Sequence, residues 1–121
     1  MHRVLLILFL AAVAVVGPLS SPALAHAIIL QATPAPNADI AGPDAAVELR
    51  FNSRIDARRS RLVVAGSAGE RPLEIQEGGS PDRLNAQLKG LAPGDYKLKW
   101  QVLAIDGHIT RGEIPFRVRS H

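Results

Sequence analysis

The chain contains no cysteine, so no disulfide can cross-link it and no thiolate is available as a nucleophile or metal ligand. At a size where exported domains often lean on disulfides, stability must come from an apolar core alone. The single methionine is Met1, which leaves the rest of the chain without a thioether and gives a soft monovalent metal no donor. Charge of one sign is also scarce. Fourteen Lys and Arg against eleven Asp and Glu give a formal +3, too little to mark a nucleic-acid binder. The one dense basic run, Arg54, Arg58, Arg59 and Arg61, is interrupted by Asp56 and has no aromatic residue within it, which is the pattern of a solvated loop. No amphipathic helical period, internal repeat or low-complexity segment stands out.

What is present begins with a leader. Met1-His2-Arg3 carries positive charge, Val4 to Val16 is uncharged and apolar, Pro18 breaks the run, and Ala23-Leu24-Ala25 is a small-x-small sequence. Those are the three parts of a secretory signal, and the apolar run is well short of the roughly 20 residues a membrane helix needs. The expected organisation is a signal peptide over 1–25, cleavage after Ala25, and one domain over 26–121 that is exported and not stably inserted in a membrane. Loss of Arg3 leaves thirteen basic residues against eleven acidic ones.

Alternation dominates the remainder. Val47, Leu49 and Phe51 alternate with Glu48, Arg50 and Asn52, and Leu84, Ala86 and Leu88 with Arg83, Asn85 and Gln87. Tyr96, Leu98, Trp100 and Val102 alternate with Lys97, Lys99 and Gln101, and Ile114, Phe116 and Val118 with Glu113, Arg117 and Arg119. Each is the period of a strand with one dry face. His26 to Leu30 and Leu62 to Val64 read as short apolar strands, and Leu73 to Gln76 as a weak one. The prolines of Thr33 to Asp39 and the turn residues of Leu91 to Asp95 break the chain. Ser53 to Ser60 reads as a polar loop, and Gly112 with Pro115 suggests a bulge or an edge. About seven short strands without a helix describe an all-β, antiparallel sandwich of the immunoglobulin or cupredoxin kind, with Trp100 as an anchor between its sheets.

Three histidines follow the expected cleavage site: His26, His108 and His121. His121 ends the chain, where fraying is the rule. Asp106-Gly107-His108 sets a carboxylate and an imidazole either side of a glycine, which lets the backbone turn so that both can face one point. A processed N-terminal His26 would offer its α-amine and ring Nδ1 together, closing a six-membered chelate. Those groups have ordinary pKa values near ~8 and ~6.5, so a metal can displace their protons at neutral pH. Adding the His108 imidazole and an Asp106 oxygen gives a tetragonal three-nitrogen, one-oxygen set, which suits Cu(II). Zinc accepts the same donors but prefers a tetrahedron.

Those features in that order resemble the CopC family of periplasmic copper-resistance and copper-trafficking proteins. The matching residues are His26, Thr33-Pro34-Ala35, Val47 to Phe51, Pro93-Gly94-Asp95-Tyr96, Trp100, Asp106-Gly107-His108 and the strand Gly112 to Val118. The resemblance implies a Greek-key sandwich that binds one Cu(II) per domain through His26, Asp106 and His108. It also implies a periplasmic, non-enzymatic role in copper buffering, trafficking or resistance, with an inner-membrane copper transporter of the CopD type as partner. The methionine-rich Cu(I) loop of some members is missing. Where some members carry a carboxylate after the Phe51 strand, this chain reads Asn52-Ser53-Arg54, so no carboxylate contact comes from Ser53. Two other readings fit the same residues: a copper monooxygenase built on an N-terminal histidine brace, and a metal-free sandwich that binds a protein partner.

Overall fold

The computed structural model describes residues 27–120; the leader, His26 and His121 lie outside the described residues. Eight strands follow in order: β1 (Ile29–Thr33), β2 (Ala38–Ile40), β3 (Ala45–Phe51), β4 (Ile55–Gly66), β5 (Gly69–Leu73), β6 (Arg83–Leu88), β7 (Gly94–Ala104) and β8 (Ile109–Val118). They form two sheets, β1-β3-β6 and β2-β8-β7-β4-β5. The chain leaves the β4–β5 hairpin, crosses to the other sheet for β6, and returns to set β7 beside β4, the Greek-key step. The described residues contain no helix, hence none long and apolar enough to cross a membrane.

Every pairing is antiparallel except that of β2, which runs parallel to the end of β8 through Ala38–Ile40 and Phe116–Val118. The alternating residues meet in the middle. Val47, Leu49 and Phe51 of β3 and Leu84, Ala86 and Leu88 of β6 face Leu62 and Val64 of β4, Leu98 and Val102 of β7, and Ile114, Phe116 and Val118 of β8; all are buried. Complete burial of one such large side chain is worth about 1.5–3 kcal/mol. Trp100 is half-buried and meets Phe51 edge-on, with ring centroids 5.4 Å apart and an interplanar angle of 65°, so the two aromatics join one sheet to the other. Tyr96 stacks on Phe116 at 5.5 Å and its hydroxyl donates to Ala92 O at 2.6 Å, which ties the loop before β7 to the core.

The structure departs from the sequence pattern at the start of β4, at β5 and at β2. Ser53–Ser60 is not a loop: β4 starts at Ile55 and pairs with β7. An irregular register between Asp56 and Arg61 disguises it, because Ser60 turns inward, its hydroxyl donating to Asp56 O at 2.7 Å and accepting from Leu103 N at 3.3 Å. Arg58 and Arg59 on this strand remain solvated, their side chains 80% and 75% exposed. The weak strand expected at Leu73–Gln76 lies earlier, as β5, with only an isolated bridge from Gln76 to Asn85. β2, within a stretch read as turn, exists through its pairing with β8, and three residues carry too little period to reveal it. Of the bulge or edge expected at Gly112 and Pro115, the edge is what forms: β7 and β8 stay in register from Gly94↔Val118 to Leu103↔Ile109, and β2 pairs with β8 only at Phe116–Val118, leaving Gly112 and Pro115 outside that ladder.

Gly112 also has a packing reason. A Cβ there would come 2.5 Å from Cζ2 of Trp100, and a rigid indole cannot yield without leaving Phe51. Gly112→Ala is therefore expected to cost roughly 1–3 kcal/mol, the range for overpacking a core. Chemical denaturation measures the loss. A shifted fluorescence maximum from Trp100, the chain's only tryptophan, locates it.

Candidate metal centre

The link between β7 and β8 is built by its glycine. Gly107 N donates to Ala104 O at 2.8 Å, and Ala104 N donates to His108 O at 2.8 Å, which leaves a three-residue loop of Ile105, Asp106 and Gly107. Such a loop closes when its last residue takes a positive φ, and Gly107 has φ +93°. A Cβ there would touch nothing within 4 Å, so the demand for glycine is one of backbone conformation.

The turn brings the two predicted donors onto each other. Asp106 Oδ1 accepts from the His108 backbone N at 3.1 Å, and Asp106 Oδ2 lies 3.0 Å from His108 Nδ1. The backbone N–H of His108, first, and its ring, second, hold the Asp106 carboxyl below its ordinary range. In the neutral ring this contact assigns the proton to Nδ1 and the lone pair to Nε2. Each carboxylate oxygen has a second lone pair. In the metal-free protein Asp106 orients the imidazole as an outer-shell carboxylate does, and because it then points away from Nε2 it can bind the same ion as that nitrogen only after giving up the Nδ1 contact. The side chains are 34% and 52% exposed, open to a metal arriving from solvent.

Two further segments reach the same end of the sandwich. Ile28 N donates to Asn52 Oδ1 at 2.8 Å and Asn52 N donates to Ile28 O at 3.0 Å. Ile105 N donates to Arg54 O at 3.1 Å. The short turn from β3 to β4 thus holds the start of the described chain at Asn52 and the Asp106–His108 hairpin at Arg54. Ala27 is 1% exposed, so the residue next to His26 is seated in the core at this end. Sequence reasoning saw Asn52 only as an outward residue of the Val47–Phe51 alternation and placed the missing carboxylate at Ser53. The signal for Asn52 is a hydrogen-bonding residue one place beyond a strand end.

Among the described residues no group of three or more His, Cys, Asp and Glu side chains converges. Asp106 and His108 are brought together, and His26, the third predicted ligand, lies outside the described residues. A surface cavity of about 600 Å³ lined by Asn37, Asp39, Tyr96 and Arg117 lies at the opposite end of the β7–β8 ladder, and one of about 360 Å³ takes in Ile105 beside Asp106.

The CopC domain profile matches residues 29–119. The sandwich superposes on CopC from Methylosinus trichosporium OB3b with a TM-score of 0.71 and 28% identity, over 79% of this chain and 96% of that one. It also superposes on PcoC, a methionine-rich copper resistance protein from Escherichia coli, with a TM-score of 0.65 over 78% of this chain and 100% of that one. At 22% identity that second likeness shows the fold. In sequence, the chain is 28% identical over 99 residues to protein YobA of Escherichia coli K12, covering 78% of this chain and 80% of YobA. It is 30% identical over 99 residues to the copper transport protein CutJ of Bacillus subtilis 168, covering 78% of this chain but only 18% of CutJ. A profile matched across all eight strands and a sandwich shared with CopC and PcoC make the chain a member of the CopC domain family.

Proposed function

We propose that this protein is exported to the periplasm, loses residues 1–25, and there holds one Cu(II) per domain for copper buffering, trafficking or resistance. The ligands are the α-amine and Nδ1 of His26, the imidazole of His108 and an oxygen of Asp106. One observation carries the reading: Ala27 and Ile28 lie at the same end of the sandwich as the Asp106–His108 hairpin, linked through the Asn52–Arg54 turn. Had β1 started at the opposite end, a strand's length would separate His26 from Asp106 and His108.

The donor set fits an oxidised copper ion. Three nitrogens and one oxygen favour a tetragonal site, and Cu(II) heads the divalent affinity order. The protein's own part is to position: the Gly107 turn sets the spacing of Asp106 and His108, and the Asp106 carboxylate exchanges its contact with the His108 ring for the metal. The role is one of binding rather than catalysis. Tyr96 and Trp100 are half-buried with their rings engaged by Phe116 and Phe51, and neither supplies the broad open aromatic face a glycan-cleaving oxidase needs. The recipient consistent with the family is an inner-membrane copper transporter of the CopD type.

Titration of the processed protein, its N-terminus verified by mass spectrometry, should reach one Cu(II) per chain, with three equatorial nitrogens by EPR. His108→Ala should reduce that count to two. His26→Ala, or a single residue added ahead of His26, should weaken binding sharply; unchanged affinity in both would refute the chelate. At a hundredfold excess over its dissociation constant, Cu(II) should raise stability by about 2.7 kcal/mol, and denaturation with and without metal reads that directly.

Acid acts in two stages. Metal affinity should fall as pH drops through the amine and imidazole ranges, because protons compete for the same nitrogens. Separately, the depressed Asp106 carboxyl contributes to the hairpin fully above the ordinary carboxylate value of about 3.9, and that contribution is lost as pH falls through the lower, folded value. In the metal-free protein the His108 amide resonance should therefore titrate with a midpoint below that ordinary value. The inflection should vanish in Asp106→Asn.

A further inference from the structure

The ladder between β1 and β3 runs as far as Ile29↔Phe51, and the next rung would join Ile28 to Asn52. In a hydrogen-bonded antiparallel pair the two residues exchange both main-chain bonds. Here one bond is ordinary, Asn52 N to Ile28 O at 3.0 Å. The other would need the Asn52 carbonyl, but the chain is already turning through Asn52-Ser53-Arg54 into β4. The side chain takes its place: Oδ1 of Asn52 accepts from Ile28 N at 2.8 Å. A side-chain amide thus stands in for a main-chain carbonyl and adds a rung beyond the end of the strand.

That rung is two residues from His26. Two residues span at most roughly 7 Å, and one of them, Ala27, is buried at 1% exposure. The point from which His26 departs is therefore set by Ile28, and Ile28 is held by Asn52. Two residues further along the same turn, Arg54 O receives the amide of Ile105 at 3.1 Å, directly before Asp106. We infer that Asn52 is a positioning residue for the metal site: its Oδ1 fixes where the chain emerges toward His26, and the β3–β4 turn sets the span from there to the Asp106–His108 hairpin. The inference rests on the proposed role of His26 as a copper ligand and adds to it the residue that holds the ligand in place.

The physical gain is preorganisation. Chain ends fray unless tied down, and a frayed end must be ordered when the metal arrives, at a cost in conformational entropy. With Asn52 in place, Ile28 is already held in the metal-free protein, and less of the chain is left to order. A neutral amide also accepts the Ile28 N–H without adding a charge beside the incoming cation.

The test is a double-mutant cycle on the natively processed protein, with Asn52→Ala placed in the wild-type and His26→Ala backgrounds and Cu(II) affinity measured in all four. In the wild-type background Asn52→Ala should raise the dissociation constant roughly tenfold to a hundredfold, as loss of outer-shell partners does. In the His26→Ala background the change should be several-fold smaller, because the imidazole is gone and only the α-amine of residue 26 is left for Asn52 to place. Amide exchange at Ile28 should accelerate in Asn52→Ala, while exchange at Leu49, Leu84 and Leu98 in the core stays as in the wild type. Equal losses in both backgrounds, or faster exchange throughout the core, would mean that Asn52 serves general stability, and the inference would fail. It would fail as well if Asn52→Ala bound Cu(II) as tightly as a wild type that binds it well. A wild type that takes up no Cu(II) would instead overturn the function on which the inference stands.

Discussion

Phe51 set edge-on against Trp100 is the contact through which the two sheets of this molecule hold each other. With no cysteine in the chain, the sheets are joined by apolar packing and by the segments that cross between them. The packing is therefore exacting where it is densest: Gly112 must be glycine because the indole of Trp100 occupies the space a methyl group would need. Phe51 ends β3, and Trp100 sits late in β7. The aromatic pair thus fixes the relation between the β3–β4 turn and the last residues of β7, which lead into the Asp106–His108 hairpin.

That placement separates two tasks. The core, with Leu49, Leu84, Leu98 and Val102 wholly buried, supplies a rigid frame, and the hairpin at its end carries the exposed chemistry, the usual division between scaffold and functional loop. The Asp106–His108 pair is complete before any metal arrives, because backbone geometry at Gly107 and the contact between the two side chains define it locally. Its relation to the N-terminal segment is not local. It depends on the bond from Ile28 N to the Asn52 side chain and on main-chain bonds from Asn52 N to Ile28 O and from Ile105 N to Arg54 O, across a turn distant in sequence from both.

The strands with clean alternation were legible in the sequence. β3, β6 and β8 bury the residues whose period singled them out, and β7 buries Leu98 and Val102 with Tyr96 and Trp100 half-buried, because a half-buried strand must place every second side chain on the core face. What escaped was structure whose cause is elsewhere in the chain. β2 has three residues and forms by lying beside β8. The start of β4 reads as polar because Ser60 turns inward at an irregularity and is satisfied there by Asp56 and Leu103. Asp106 and His108 were found because their spacing is short. Asn52 was not, since nothing in Asn-Ser-Arg announces that the amide reaches back to Ile28.

The sequence by itself determined the class of fold, the inward face of the four clearest strands, the lack of sulfur donors and the pairing of Asp106 with His108. Each follows from local period, composition or a turn of a few residues. Only the tertiary structure decided that β1 begins at the end of the sandwich where the β7–β8 hairpin lies, and that one turn between β3 and β4 holds both. That outcome depends on which strands pair and in what register, and register is set by packing between residues far apart in the chain.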